Sequence, residues 1–221
     1  MHDFLGGKGV FAIDAPLSGR LKWLLILLLT CGLFYGAVMG TFSGLAPGRF
    51  QQLLYSGIKV PFLLLVTFVL CLPSFFVINT VAGLREDFAQ VIRAVIATQA
   101  CVTVVLAGLA PLTALSYLSC AHYNVAVFFN GLMFALASAS AQIVTRRYYR
   151  PLFQRSPRHR WLCFVWFLLY IFVGIQMAWV LRPFIGDPKT AIAFFRKEAW
   201  GNAYIVLARI IVNTLRALAS S

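Results

Sequence analysis

Residues 60–82, VPFLLLVTFVLCLPSFFVINTVA, contain no charged side chain and decide the fold class of this chain. A helix of about 20 apolar residues is long enough to cross the ~30 Å hydrocarbon layer of a bilayer. A spanning segment must satisfy its own backbone hydrogen bonds, and this one lacks the alternation of polar and apolar residues that barrel strands show. The stretch therefore predicts a transmembrane helix.

Four further apolar stretches of similar length accompany this one: residues 23–42, 94–117, 125–144 and 161–181. Of the 221 residues, 61% are hydrophobic and 11% charged, whereas a soluble domain usually has about 25% charged residues. We therefore predict an all-α, polytopic transmembrane helical bundle of about five spans over residues 23–182. Residues 1–22 are expected to form an irregular segment along the membrane surface, and residues 183–221 a separate tail.

The tail contains a helical pattern of a different kind. Over residues 198–218, Asn202, Arg209, Asn213 and Arg216 fall on one helix face and apolar residues on the other. This pattern indicates an amphipathic helix in the membrane interface. A sixth span is the alternative, because a central arginine costs only about 2.5–3.5 kcal/mol on insertion scales.

The charge of the chain is strongly basic, with a formal net charge of +13. The basic residues lie almost entirely between the apolar stretches, where they stay at lipid headgroups and bias orientation, so nucleic acid is not an expected partner. Their distribution predicts that the N-terminus is cytoplasmic. We interpret the membrane as the inner membrane of a cell. The acids Glu86 and Asp87 are expected to compensate Arg85 and Arg93 at the membrane surface.

Small residues recur at every fourth position of the first span and just beyond it: Gly32, Gly36, Gly40 and Gly44. This spacing stacks them on one helix face and predicts close packing against another backbone. The partner is either another span of this chain or another protein. The natural internal candidate is the fourth span, which has a similar stripe of Gly131, Ala135 and Ala139.

Residues 146–160 are rich in arginine and are expected to form a loop. The arginines are Arg146, Arg147, Arg150, Arg155, Arg158 and Arg160. Because the guanidinium group binds phosphate through a planar fork, anionic lipid headgroups or an acidic partner are candidate ligands. The alternative is that these charges only enforce the topology.

Uncharged polar residues inside the spans are either a path for a solute or hydrogen-bonding groups between helices. The candidates for a path are Gln99, Thr103, Asn130, Gln142 and Gln176. No Asp or Glu lies within a predicted span, which argues against proton coupling through carboxylates.

Enzymatic activity is not expected from this sequence. The three histidines, His2, His122 and His159, all fall in predicted loops or termini, so no nucleophile and histidine pair and no zinc motif lies within the membrane. We predict no metal site and no cofactor.

Residues 59–117 combine a proline-containing span, a short charged turn at residues 83–87 and a further span ending in Leu109, Ala110, Pro111 and Leu112. This arrangement resembles the Yip1-type multi-spanning proteins, and the whole chain is similar in span pattern to bacterial integral membrane proteins of this length. The resemblance implies five spans, a cytoplasmic N-terminus and an adaptor-like role.

Taken together, these features favour a non-catalytic membrane protein that acts as an accessory, scaffold or assembly subunit. Its expected partners are membrane lipids and other membrane proteins, or a second copy of itself. The alternative function is a channel or carrier for a small neutral or anionic solute.

Overall fold

The computed structural model describes residues 17–44, 49–119, 122–186 and 194–195. Within these ranges the secondary structure is helical, without strands. The long helices are α1 (Leu17–Gly40), α2 (Phe50–Val81), α3 (Phe88–Ser119), α4 (Tyr123–Arg155) and α5 (Arg158–Leu181). All five are long and apolar enough to cross a membrane. The chain is therefore a multi-pass membrane protein with an all-helical bundle, and this prediction is confirmed.

Two helices extend well beyond the stretches that hydropathy marks. α2 begins at Phe50 rather than at residue 60, and α4 continues to Arg155 rather than ending at residue 144. Hydropathy locates the part of a helix that meets hydrocarbon, whereas packing decides where the helix ends. In α4 the buried side chains of Tyr149 and Leu152 continue the packed face past the apolar stretch.

The predicted loop at residues 146–160 is consequently wrong. Most of these residues are helical, and only Ser156 and Pro157 separate α4 from α5. The irregular segment predicted for residues 1–22 is also too long, because α1 begins at Leu17. Residues 1–16 and the amphipathic helix predicted at residues 198–218 lie outside the described residues.

The helices do not pack in the order in which they follow one another. α1 lies between α2 and α3 and packs closely against both, whereas α2 and α3 approach each other closely at few positions. α3 and α4 form an antiparallel hairpin, and α5 packs against α2 with little contact to α4. In the apolar stretch of α3, 56% is buried, against 11% in α5. α3 is therefore the most enclosed helix and α5 the most peripheral.

Small side chains are buried on both α3 and α4. Ala94, Ala97 and Ala100 of α3 and Ala137 and Ala141 of α4 are all buried. Lipid is as apolar as these side chains, so close van der Waals contact and hydrogen bonds between helices replace the hydrophobic effect as the driving force.

The two membrane ends of the bundle differ in charge. α1 begins at the same end as the α2–α3 and α4–α5 connections, and arginines concentrate there. We call this the basic end. The α1–α2 and α3–α4 connections and the end of α5 lie at the opposite end.

Candidate functional site

The glycines of α1 lie directly against the backbone of α2. A Cβ atom added at Gly36 would lie 2.8 Å from the Cα of Gly57, and one added at Gly40 would lie 2.6 Å from the Cα of Leu53. At Gly32 the nearest atom would be the Cβ of Pro61, at 3.2 Å. Real side chains do not fit at the first two distances, so the contact requires glycine. This face of α1 is occupied within the chain.

The other small residues expected at a packing interface lie elsewhere. Gly44 is beyond the end of α1, has a φ of 95° and meets no atom within 4 Å of an added Cβ. Gly131, Ala135 and Ala139 are exposed on the outward side of α4, and nothing lies within 4 Å of an added Cβ at Gly131. The internal partner of the α1 glycines is thus α2, and the expectation that α4 plays this role is wrong. Spacing shows which residues share a face, but it does not show which way the face points.

Asn130 is the centre of a buried hydrogen-bond network that joins three helices. Its side-chain oxygen accepts a hydrogen bond from the Tyr35 hydroxyl of α1 at 3.0 Å, and its amide donates to the Tyr117 hydroxyl of α3 at 2.6 Å. The amide also donates to the carbonyl oxygen of Ala126 at 2.7 Å. Asn130 is 3% exposed and its amide is fully used in this network.

Gln99 belongs to a second and separate cluster, between α2, α3 and α5. Its amide donates to the Leu64 carbonyl oxygen at 3.3 Å and to the Tyr170 hydroxyl, and that hydroxyl also donates to the Leu64 carbonyl at 3.2 Å. The side-chain oxygen of Gln99 and the hydroxyl of Thr67 are buried without a hydrogen-bond partner in the part of the chain that is described. This cluster bridges α2, α3 and α5.

The remaining residues proposed for a solute path do not join these clusters into one. The hydroxyl of Thr103 donates to the Ala100 carbonyl oxygen of its own helix at 2.9 Å. Gln142 and Gln176 are half-buried, on α4 and α5 respectively. The five polar residues are therefore distributed over the bundle rather than gathered along one channel.

The Asn130 network leads to a prediction for stability. Replacing Asn130 by Ala removes its bonds to Tyr35 and Tyr117, and should lower the free energy of unfolding by about 1–2 kcal/mol, the range for polar contacts between transmembrane helices. The matched control is Ser140→Ala, since among the described residues the exposed Ser140 hydroxyl bonds only to the Leu136 carbonyl of its own helix. Chemical unfolding in mixed micelles would measure both, and equal stability of the two variants would contradict the prediction.

Asp87 links the α2–α3 connection to the α4–α5 connection at the basic end. Its carboxylate accepts from Arg155 at 2.7 Å and lies 3.0 Å from the Nε2 of His159, whose side chain is fully buried. Arg158 also donates to the Ala82 carbonyl oxygen at 3.3 Å. The prediction that Asp87 compensates Arg85 and Arg93 did not identify these partners, because they lie far away in sequence.

The arginines of residues 146–160 divide into two groups. Arg155 and Arg158 are engaged in the contacts just described. Arg146, Arg150 and Arg160 are exposed and Arg147 is half-buried. The two groups therefore differ in how many of their guanidinium donors remain available to ligands.

Lys59 forms a buried polar cluster at the opposite end that the sequence did not reveal. Its ammonium is 0% exposed, donates to the Pro183 carbonyl oxygen at 2.8 Å and lies 4.8 Å from the ring centre of Phe194. Ser56, also on α2, donates to the Phe184 carbonyl oxygen. These contacts fix the segment that follows α5 onto α2. The sequence feature that could have indicated this cluster is the position of Lys59 directly before the apolar stretch at residues 60–82.

The geometry defines a class of protein: a multi-pass helical membrane protein in which the Asn130 and Gln99 clusters connect helices. Among the described residues no three His, Cys, Asp or Glu side chains form a group that could hold a metal ion. Comparison with protein-family models, with curated proteins and with solved structures gave no match. The likeness to the Yip1-type proteins accordingly stays a resemblance in span pattern.

Proposed function

We propose that this protein is a non-catalytic accessory or assembly subunit that binds another transmembrane helix through the outward face of α4. The observation that carries the proposal is the exposure of Gly131, Ala135 and Ala139 one turn apart on that face. Small residues let a second backbone approach closely, and the α1 glycines and α2 illustrate the same kind of contact within this chain. The partner is another membrane protein or a second copy of the chain.

The alternative, a channel or carrier for a small solute, has less support. A path needs polar groups that follow one another across the membrane. Gln99 and Asn130 instead lie in separate clusters, and the amide of each already donates to a group on a neighbouring helix. Helix bridging accounts for these residues without a permeating solute.

The proposal includes an orientation. Arginine is in excess at the basic end, where α1 begins. This favours an orientation in which the basic end lies on the cytoplasmic side of the inner membrane. The proposed docking face lies nearer the opposite end of α4.

Photocrosslinking from α4 tests the proposed docking. With a photoreactive amino acid at Ala135, irradiation of cells should give a discrete crosslinked product with a transmembrane segment identified by mass spectrometry. The same group at Leu70, which is 51% exposed on α2, provides the lipid-facing control. Gly131→Leu should reduce the product from Ala135 at least about fivefold, because a large side chain keeps a second backbone away.

Crosslinking only to lipid from both positions, or a product unchanged by Gly131→Leu, would reject the docking face. Positions 36 and 40 are unsuitable for this experiment, since α2 covers them.

A further inference from the structure

Lys59 lies within the apolar layer of the bundle rather than at its surface. Its side chain is fully buried, whereas Ile58 beside it on α2 is 48% exposed and faces outward. Gly57 is level with Gly36 of α1, and the apolar stretch of α1 continues to residue 42, about 9 Å further at about 1.5 Å per residue. A cation at this depth is unfavourable unless the protein encloses it and provides acceptors.

The segment that follows α5 encloses this cation. Residues 182–186, which we call the strap, are not helical, and most of them are buried. The Lys59 ammonium donates to the Pro183 carbonyl oxygen at 2.8 Å, and Ser56, one turn earlier on α2, donates to the Phe184 carbonyl oxygen. Irregular backbone persists at membrane depth only where the protein satisfies its polar groups. The strap therefore depends on two side chains of α2.

An aromatic ring covers the same lysine from a second direction. The ring centre of Phe194 lies 4.8 Å from the Lys59 ammonium and 5.2 Å from the ring centre of Tyr55. A cation over an aromatic ring is attracted by the negative face of the ring. Lys59 thus contacts the chain after α5 at two places.

α5 is the helix that the bundle holds least. Only 11% of its apolar stretch is buried, and it packs mainly against α2, whereas α1, α2, α3 and α4 are joined by more extensive contacts. Segments with few buried contacts open at a lower free energy than the core does. Opening of the strap therefore leaves most contacts of the other four helices intact.

We propose that the strap is a latch that opens without unfolding the bundle, and that Lys59 is the residue that fastens it. In the closed state the strap covers the Lys59 ammonium and the Ser56 hydroxyl and holds the end of α5 on α2. The open state exposes these two donors to acceptor oxygens of another membrane segment. Because an exposed cation at this depth is unfavourable, the closed state predominates. The latch is independent of the docking face on α4.

Maleimide labelling of the full chain in detergent tests the latch. Ile185 in the strap is 3% exposed, and the native Cys101 in α3 is 5% exposed. In the Ile185→Cys chain, peptide mass spectrometry distinguishes the two thiols, and the thiol at position 185 should react at least about tenfold faster. Adding K59M should accelerate position 185 at least about tenfold further and leave Cys101 unchanged, because hydrogen bonds from charged donors are the stronger ones.

The control is K22M, which removes an exposed lysine of α1 and should change neither rate more than about twofold. Equal rates at position 185 and Cys101 would mean that the strap opens only with the whole bundle, and would overturn the proposal. An unchanged rate at position 185 in K59M would show that Lys59 does not fasten the strap. Should K59M fail to fold, Ser56→Ala removes the neighbouring bond and should still accelerate position 185 about threefold. No acceleration in that variant would count equally against the latch.

Discussion

Replacing Gly36 by alanine is expected to lower the free energy of unfolding by about 1–3 kcal/mol, and a larger side chain should prevent α1 and α2 from packing at all. The added Cβ would lie 2.8 Å from the Gly57 Cα and 2.9 Å from the Gly57 carbonyl oxygen. Both are backbone atoms that cannot rotate away as the end of a side chain can. The only relief is separation of the helices, which removes dispersion contacts along the whole interface.

The control for this substitution is Gly108→Ala in α3. Nothing lies within 4 Å of an added Cβ there, and alanine has the higher helix propensity, so its stability should be unchanged or slightly higher. The fraction of protein that stays monodisperse after heating in detergent would measure the stability of both variants. A Gly36→Ala protein as stable as the Gly108→Ala protein would mean that α1 and α2 do not pack as described.

Replacing Asp87 by alanine should cost about 1–3 kcal/mol, the range for leaving a buried polar group without its partner. The carboxylate is the hydrogen-bond partner of His159, whose Nδ1 already has none among the described residues. Loss of Asp87 would leave the fully buried imidazole without any such partner. The bond to Arg155 adds little, since the Arg155 side chain is 65% exposed and its ion pair is screened by water.

Glu86→Ala provides the comparison, because Glu86 is the neighbouring acid and is exposed. It should change stability by no more than about 0.5 kcal/mol. Urea unfolding in mixed micelles, followed by tryptophan fluorescence, would report both values, and Arg155→Gln should resemble Glu86→Ala. Similar losses for Asp87→Ala and Glu86→Ala would show that the buried contact with His159 contributes nothing specific.

The number and type of the membrane helices were predictable from the sequence. Insertion into lipid depends on the composition of about 20 consecutive residues, which can be read directly from the sequence. Helix ends were less predictable. The sequence around Arg146 and Arg150 predicted a loop, yet these residues continue α4. Arginine has good helix propensity, and the buried residues Tyr149 and Leu152, three positions apart, hold this part against the bundle.

Contacts between residues distant in sequence were not predictable. The spacing of Gly36 and Gly40 predicted a close helix contact, but the sequence around them did not distinguish α2 from α4 as the partner. The same limit applies to Asp87 with His159 and to Lys59 with the Pro183 carbonyl oxygen. In each case the partner is set by how whole helices are arranged, and no local pattern encodes that arrangement.

The position of α1 between α2 and α3 has a consequence for how the chain is made. Two helices that leave the ribosome in succession often pair with each other at once, but α2 and α3 have little surface in common. We therefore expect α1 to pair first with α2 through its glycines and to receive α3 on its other side afterwards. α4 then folds back onto α3, and α5 packs against α2, which precedes it by three crossings.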